Sequence, residues 1–174
     1  MIPQVSVRPL ETGEIPALRE LLVDLPLLYP KASEWLDRRL RNLEGIVVAV
    51  NQEQLLGVLI TTGSGNLLKL STLFVRSGFR RQEIGRRLVE AVIPEWRDQG
   101  KDVFVTVDES LYPALVALLA KYGFRKQQEV PDLYRTGTKE IFLVANQQQL
   151  LEASLALKDI AETRLYPRLR TVFF

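Results

Sequence analysis

The segment 76–87 holds Arg76, Arg80, Arg81, Arg86 and Arg87, with Glu83 as the only acid among them. The turn Phe79-Arg80-Arg81-Gln82-Glu83-Ile84-Gly85 follows an apolar run and leads into a helical pattern. The first amides of a helix lack internal partners, and the helix start carries a partial positive charge. Phosphate groups bind there for both reasons. Arg80, Arg81 and Arg86 add charge-assisted hydrogen bonds, and Gly85 admits a ligand close to the backbone. The plain alternative is a solvated basic loop whose glycine serves only the turn. The net charge is +2 over 174 residues. A local cationic site in a nearly neutral chain suits a compact anion rather than a long polyanion.

Other chemistry is narrowed by composition. The chain has no cysteine and no histidine. Thiolate catalysis, disulfides and thiolate metal sites are excluded, and so are the usual general base and the commonest metal ligand. No metal is expected. Asp108 and Glu109 stand side by side at the end of a predicted strand. Adjacent carboxylates raise one another's pKa, which suits a base working near neutrality. The plain alternative is an exposed loop and a helix cap.

The elements that must position these groups follow from periodicity. Val5 and Val7 open a first strand, and Leu18, Leu21, Leu22 and Leu25 mark a helix ended by Pro26. Ser33 is expected to cap a second helix bearing Leu36, Leu40 and Leu43, stopped by Gly45. Strands at 46–50, 55–62 and 67–75, separated by polar and glycine-rich turns, form an antiparallel meander. Ile84, Leu88, Ala91, Val92 and Trp96 line one face of a long helix containing Pro94 and closed by Gly100. A strand at 103–107 precedes a helix that Ser110 is expected to cap, carrying Leu115, Leu118, Leu119 and Tyr122 and ended by Gly123. Strands near 124–130 and 139–145 close the pattern. The class is α/β or α+β with a mixed sheet, in which strands 67–75 and 103–107 are adjacent, parallel and splayed at the ligand end.

Val75 to Leu88, placed after three meander strands, resembles the acetyl-CoA-binding segment of the GNAT superfamily of N-acetyltransferases. Val75, Phe79, Arg80, Ile84, Gly85 and Leu88 match its pattern. Val7-Arg8-Pro9-Leu10 looks like the family's first strand and its exit, and Ala120-Lys121-Tyr122-Gly123-Phe124 like the end of its fourth helix. The resemblance covers roughly residues 5 to 145. It implies a mostly antiparallel mixed central sheet flanked by helices, with an extra C-terminal helix. It implies that Leu73, Phe74 and Val75 offer backbone groups to pantetheine. It implies also that Arg80, Arg81, Gln82, Ile84, Gly85 and Arg86 hold the pyrophosphate. The acceptor groove would be built by the first two helices and the loop near Pro131. Three positions depart from the pattern. Glu83 replaces a loop glycine, so its carboxylate must turn to solvent or pair with a neighbouring arginine. Leu119 stands where many members have a general-acid tyrosine, and Tyr122 reads as core packing; Tyr112 replaces the family's helix-start asparagine. The central strand carries no acid, which makes Glu109, with Asp108, the substitute base.

The expected activity is acetyl transfer from acetyl-CoA to a primary amine of an unidentified acceptor. A catalytically inactive acyl-CoA-binding regulatory module is the second reading, supported by the absent family acid and base. Nucleic-acid binding through the basic loop or tail is a third, permitted by the tail arginines and Tyr166 but not demanded by the charge. The acyl-CoA-binding domain is expected at 1–145. A helical extension at 146–174 should pack on the domain or on a second copy of the chain, giving a homodimer. With no apolar run of membrane length and no signal peptide, a cytoplasmic location is expected.

Overall fold

The structure is a computed structural model and describes residues 4–29, 31–52, 54–153 and 155. Its frame is a sheet of seven strands in the order β1-β2-β3-β4-β5-β7-β6. The strands are β1 (Val5–Pro9), β2 (Ile46–Asn51), β3 (Gln54–Ser64), β4 (Leu67–Val75), β5 (Asp102–Asp108), β6 (Arg125–Pro131) and β7 (Lys139–Ala145). Every pairing is antiparallel except that of β4 with β5. Those two pair only at Leu67–Asp102, Leu68–Val103 and Lys69–Phe104, then part. The expected splay is present: the far ends of both strands bound an opening in the sheet. A register shift opposite Ile60 and Thr61 adds one residue to β4 just where it leaves β5.

Helices cover both faces. On one, α1 (Ile15–Leu21), α2 (Leu25–Leu28) and α3 (Ala32–Arg39) pack Leu18, Leu21, Leu22, Leu36 and Leu40 on Val48, Val58 and Ile60. On the other, α4 (Ile84–Asp98) and α5 (Tyr112–Leu119) bury Ile84, Leu88, Val89, Trp96 and Leu119 against Leu56, Leu59, Val103 and Leu143. Each such side chain taken fully out of water contributes about 1.5–3 kcal/mol. Among the described residues no helix is long and apolar enough to cross a membrane.

Local expectations change in four places. Pro26 starts rather than ends a helix: α1 stops at Leu21, and Pro26 occupies the first turn of α2, where its missing N–H costs nothing. Lys31, not Ser33, precedes α3, and no side chain caps it. Gly45 enters β2 in the left-handed region, several residues after α3 has ended at Arg39. Ser110 does not cap α5, because its hydroxyl and amide both bond Asp108. The long helix runs through Pro94.

The start of the extension packs on the domain. Leu150 and Ala153 join the core beside α4. Gly123, at φ +86°, lies so close that a Cβ there would meet Cβ of Gln149 at 2.6 Å. The rest of the expected tail helix, the Arg164–Arg170 segment and any dimer contact through it lie outside the described residues.

Candidate active site

The turn between β4 and α4 is shaped by its backbone. A short 3₁₀ turn at Ser77–Phe79 is followed by Arg81 at φ +63° and Glu83 at φ +62°. The first helical hydrogen bond runs from the Arg87 amide to the Glu83 carbonyl, 3.0 Å. The amides before Arg87 therefore stand outside the helix's own ladder, at its positive end. Left-handed backbone costs a non-glycine residue about 1–2 kcal/mol, which accounts physically for glycine at the Glu83 position in the family pattern. The strain persists because α4 is anchored by the buried Ile84, Gly85 and Leu88. Gly57 on β3 lets that anchor approach, since a Cβ there would lie 3.1 Å from Leu88 Cδ1 and 3.3 Å from Ile84 Cγ2.

The arginines are not equivalent. Arg80 donates Nε to the Val75 carbonyl, 3.0 Å, and lies over the Phe74 ring. Arg81 is exposed. Arg86 is paired with Glu83 at 2.8 Å and lies 3.6 Å from Glu90. Of the two alternatives for Glu83, the side chain takes the arginine pair while staying largely exposed. Gln82 reaches back to the Gly78 carbonyl. The Arg76 amide donates to Leu56 on β3. By strand alternation the backbone groups of Leu73 and Val75 then face the opening, and those of Phe74 face β3.

Tyr122 is buried in the α4-side core, and its hydroxyl donates to Glu90 at 2.8 Å. Burial and the Glu90 carboxylate push this phenol far above its ordinary range. Leu119 is fully buried.

At the far end of β5 the two expected carboxylates differ. Asp108 is buried, accepts from Ser110, and pairs with Arg135 at 2.7 Å. Those hydrogen bonds, led by the Ser110 hydroxyl, hold its carboxyl below the usual range. Asp108 is thus an anchor for the β6–β7 loop and not a base poised near neutrality. Glu109 is exposed, with its amide tied to the Lys139 carbonyl.

A third carboxylate was not singled out from the sequence. Glu140 is directly opposite Asp108 in the β5–β7 register and only 2 % exposed. Among the described residues its Oε2 has no hydrogen-bond partner. Burial, then the neighbouring Asp108 charge, push its pKa up to about 7, against the pull of Lys69 and Arg135. The register and the two-residue period put Lys69, Phe104, Thr106, Asp108, Glu140 and Phe142 on one face, the α1–α3 side. Tyr29, just past α2, and Tyr134, in the β6–β7 loop, meet edge to face at 5.6 Å over this surface. Lys69 Nζ bonds the Tyr134 hydroxyl at 2.9 Å and lies over the Phe104 and Tyr134 rings. The sequence signal was present: Ile141, Leu143 and Ala145 claim one face of β7, which leaves an acid beside Phe142 on the other.

A hollow between α3, β3 and the C-terminal part of α4 is lined by Arg38, Thr61, Trp96 and Gln99. It lies at the other end of α4 from the turn.

The sheet opens between two parallel strands, with a helix start beside the opening. The profile described as the acetyltransferase (GNAT) domain matches residues 30–140, and the chain belongs to that family of acyltransferases. It is similar in structure to Ard1 from Thermoplasma volcanium, at 18% identity and TM-score 0.70, over 81% of this chain and 96% of that one. It is similar to the ribosomal-protein-S18-alanine N-acetyltransferase of Escherichia coli, at 20% identity and TM-score 0.67, over 81% and 92%. It is similar to YncA of Salmonella typhimurium, solved with its cofactor acetyl-CoA, at 16% identity and TM-score 0.65, over 82% and 94%. No curated protein matches the chain.

Proposed function

We propose that this chain transfers an acetyl group from acetyl-CoA to a primary amine. The observation that carries the reading is the parting of β4 from β5 beside the amide-lined start of α4. The residues fit the substrate's two ends. The amides of Arg81, Gln82, Ile84, Gly85 and Arg86 lie at the positive helix end, and the Arg80, Arg81 and Arg86 side chains add charge for a pyrophosphate. The backbone groups of Leu73 and Val75 face the opening, where an amide-bearing arm can extend β4, while those of Phe74 turn to β3 instead of the arm. Acetyl-CoA supplies the activated carbonyl. A strand amide at Leu73 or Val75 would polarise it, and much of the rate would come from holding amine and thioester together. The attacking amine must lose a proton, and Glu109, exposed at the open end of β5, is one carboxylate that can take it.

The test is calorimetry with CoA and acetyl-CoA, followed by mass spectrometry of peptides bearing a free amino terminus and a lysine. Binding and a gain of one acetyl group are expected. No binding of either ligand at millimolar concentration sinks the reading.

A second reading, a CoA-binding module without turnover, is favoured by the pairing of Arg86 with Glu83 and by Leu119 at the family's tyrosine position. Binding without acetyl transfer to any amine would establish it.

A further inference from the structure

We propose that Glu140 receives the proton of the incoming ammonium, and that Tyr29 and Tyr134 form the aromatic entrance through which that cation reaches it. The inference rests on the acetyltransferase reading.

Three observations support it independently of that reading. First, Glu140 is buried with one carboxylate oxygen lacking any partner among the described residues. A buried acid left unpaired costs stability, so a fold keeps one where it serves another purpose. Second, the place is apt. β4 leaves β5 after Lys69, while β5 stays paired with β7 as far as Asp108 and Glu140. Glu140 therefore lies one strand from the opening, beside Asp108 on the α1–α3 face, and the α4 turn lies at the other face. Third, the surface above it already holds an alkylammonium: Lys69 Nζ lies 5.9 Å from the Phe104 ring centroid and 5.4 Å from that of Tyr134. Rings beside a carboxylate suit a second such cation.

The other carboxylates are less suited. Asp108 is engaged by Ser110 and Arg135, and Glu109 is exposed. The groups facing Glu140 are Lys69 on β4, Asp108 on β5, Tyr134 and Arg135 in the loop, and Tyr29 after α2. Val130 is its partner on β6. Burial gives Glu140 a midpoint of about 7, where a base both exists as carboxylate and holds a proton.

The proton balance is closed. The ammonium gives one proton to Glu140, and the nitrogen lone pair forms the N–C bond at the thioester carbonyl. The C–S bond breaks, CoA leaves as thiolate, and it takes up the second nitrogen proton. Glu140 returns its proton to solvent, so one proton is released per acetyl transferred.

The test compares the full chain with Glu140→Gln, Glu140→Asp and Lys69→Met. CoA thiol release is followed from pH 5.5 to 9 with acetyl-CoA and a peptide bearing both a free amino terminus and a lysine. The wild-type rate should rise through a midpoint near 7, and Glu140→Gln should lose roughly 100-fold together with that inflection. Its CoA affinity should not change, and its melting temperature should hold or rise, because an unpaired buried charge is gone. Glu140→Asp should recover part of the rate. Lys69→Met should move the midpoint upward, since Lys69 favours the charged carboxylate. An active Glu140→Gln with the wild-type profile overturns the inference and leaves the acetyltransferase reading intact. A Glu140→Gln that melts lower and is inactive, with an unmoved midpoint in Lys69→Met, assigns Glu140 a structural role and also overturns it. Wild-type protein that releases no thiol overturns both readings.

Discussion

The two faces of the sheet at its opening are built differently. On the α4 face the proposed anion site is mostly backbone: a strand end, a turn and a helix start, contiguous from Val75 to Arg87. On the α1–α3 face the carboxylate site is mostly side chain. It is assembled from Tyr29, Lys69, Asp108, Tyr134, Arg135 and Glu140, which come from widely separated parts of the chain. A backbone site tolerates side-chain change as long as the turn keeps its path. A side-chain site changes its chemistry with every neighbour lost. Damage to the first should therefore appear in CoA affinity, and damage to the second in turnover and its pH dependence.

The largest effect should come from Gly85→Glu. It places a carboxylate and its bulk at a buried position in the first turn of α4, facing the expected pyrophosphate. CoA affinity should fall at least about 100-fold, or about 3 kcal/mol, by calorimetry. Unchanged affinity would move the anion away from this turn and break the comparison at its root.

Arg135→Ala probes the other face. It removes the partner of a buried aspartate, which costs about 1–3 kcal/mol in a denaturant melt. Asp108 keeps Ser110 but loses one cause of its depressed pKa. A carboxyl lowered by folding stabilises above its unfolded pKa, and that stability is lost as pH falls through the folded value. The acid limb of wild-type stability should therefore be steeper than that of the variant. Turnover should drop about tenfold from loss of loop position, while CoA affinity stays within about twofold. A matching loss of CoA affinity would show that the two faces are not separable.

Glu83→Gly is expected to tighten CoA binding about fivefold and to raise stability by about 1 kcal/mol. The variant relieves left-handed backbone at φ +62° and frees Arg86 from its acidic partner. Weaker binding would mean that the Glu83–Arg86 pair orders the turn.

The smallest effect is expected from Tyr122→Phe. The ring keeps its place in the core, and the change removes only the hydroxyl bond to Glu90. Stability should fall by about 1 kcal/mol in a thermal melt, with turnover near wild type. A large loss of turnover would make Tyr122 the missing acid despite its burial.

Signals carried by neighbouring residues were legible in the sequence. The strand, turn and helix around Arg80 to Gly85 follow from apolar spacing, and the sheet opening from the order of elements. Legibility ended at residues whose behaviour is set by what packs on them. Ser110 had the type and place of a cap, yet Asp108 engages its hydroxyl. Asp108 and Glu109 read alike as adjacent acids, yet Arg135 reaches one and solvent the other. Glu140 was not singled out: the alternation of Ile141, Leu143 and Ala145 places it on the opposite face of β7, but its burial is set by elements distant in sequence.

The sequence by itself determined the strand, turn and helix start that the proposed anion site needs, since these follow from local pattern. It determined the helix of Ile84, Leu88 and Trp96 as well, through periodicity alone. Only the tertiary structure decided which carboxylate is paired, exposed or buried without a partner among the described residues. Desolvation and coupling depend on distances to side chains from other elements, and the β5–β7 register brings Glu140 and Asp108 face to face beneath Tyr29 and Tyr134.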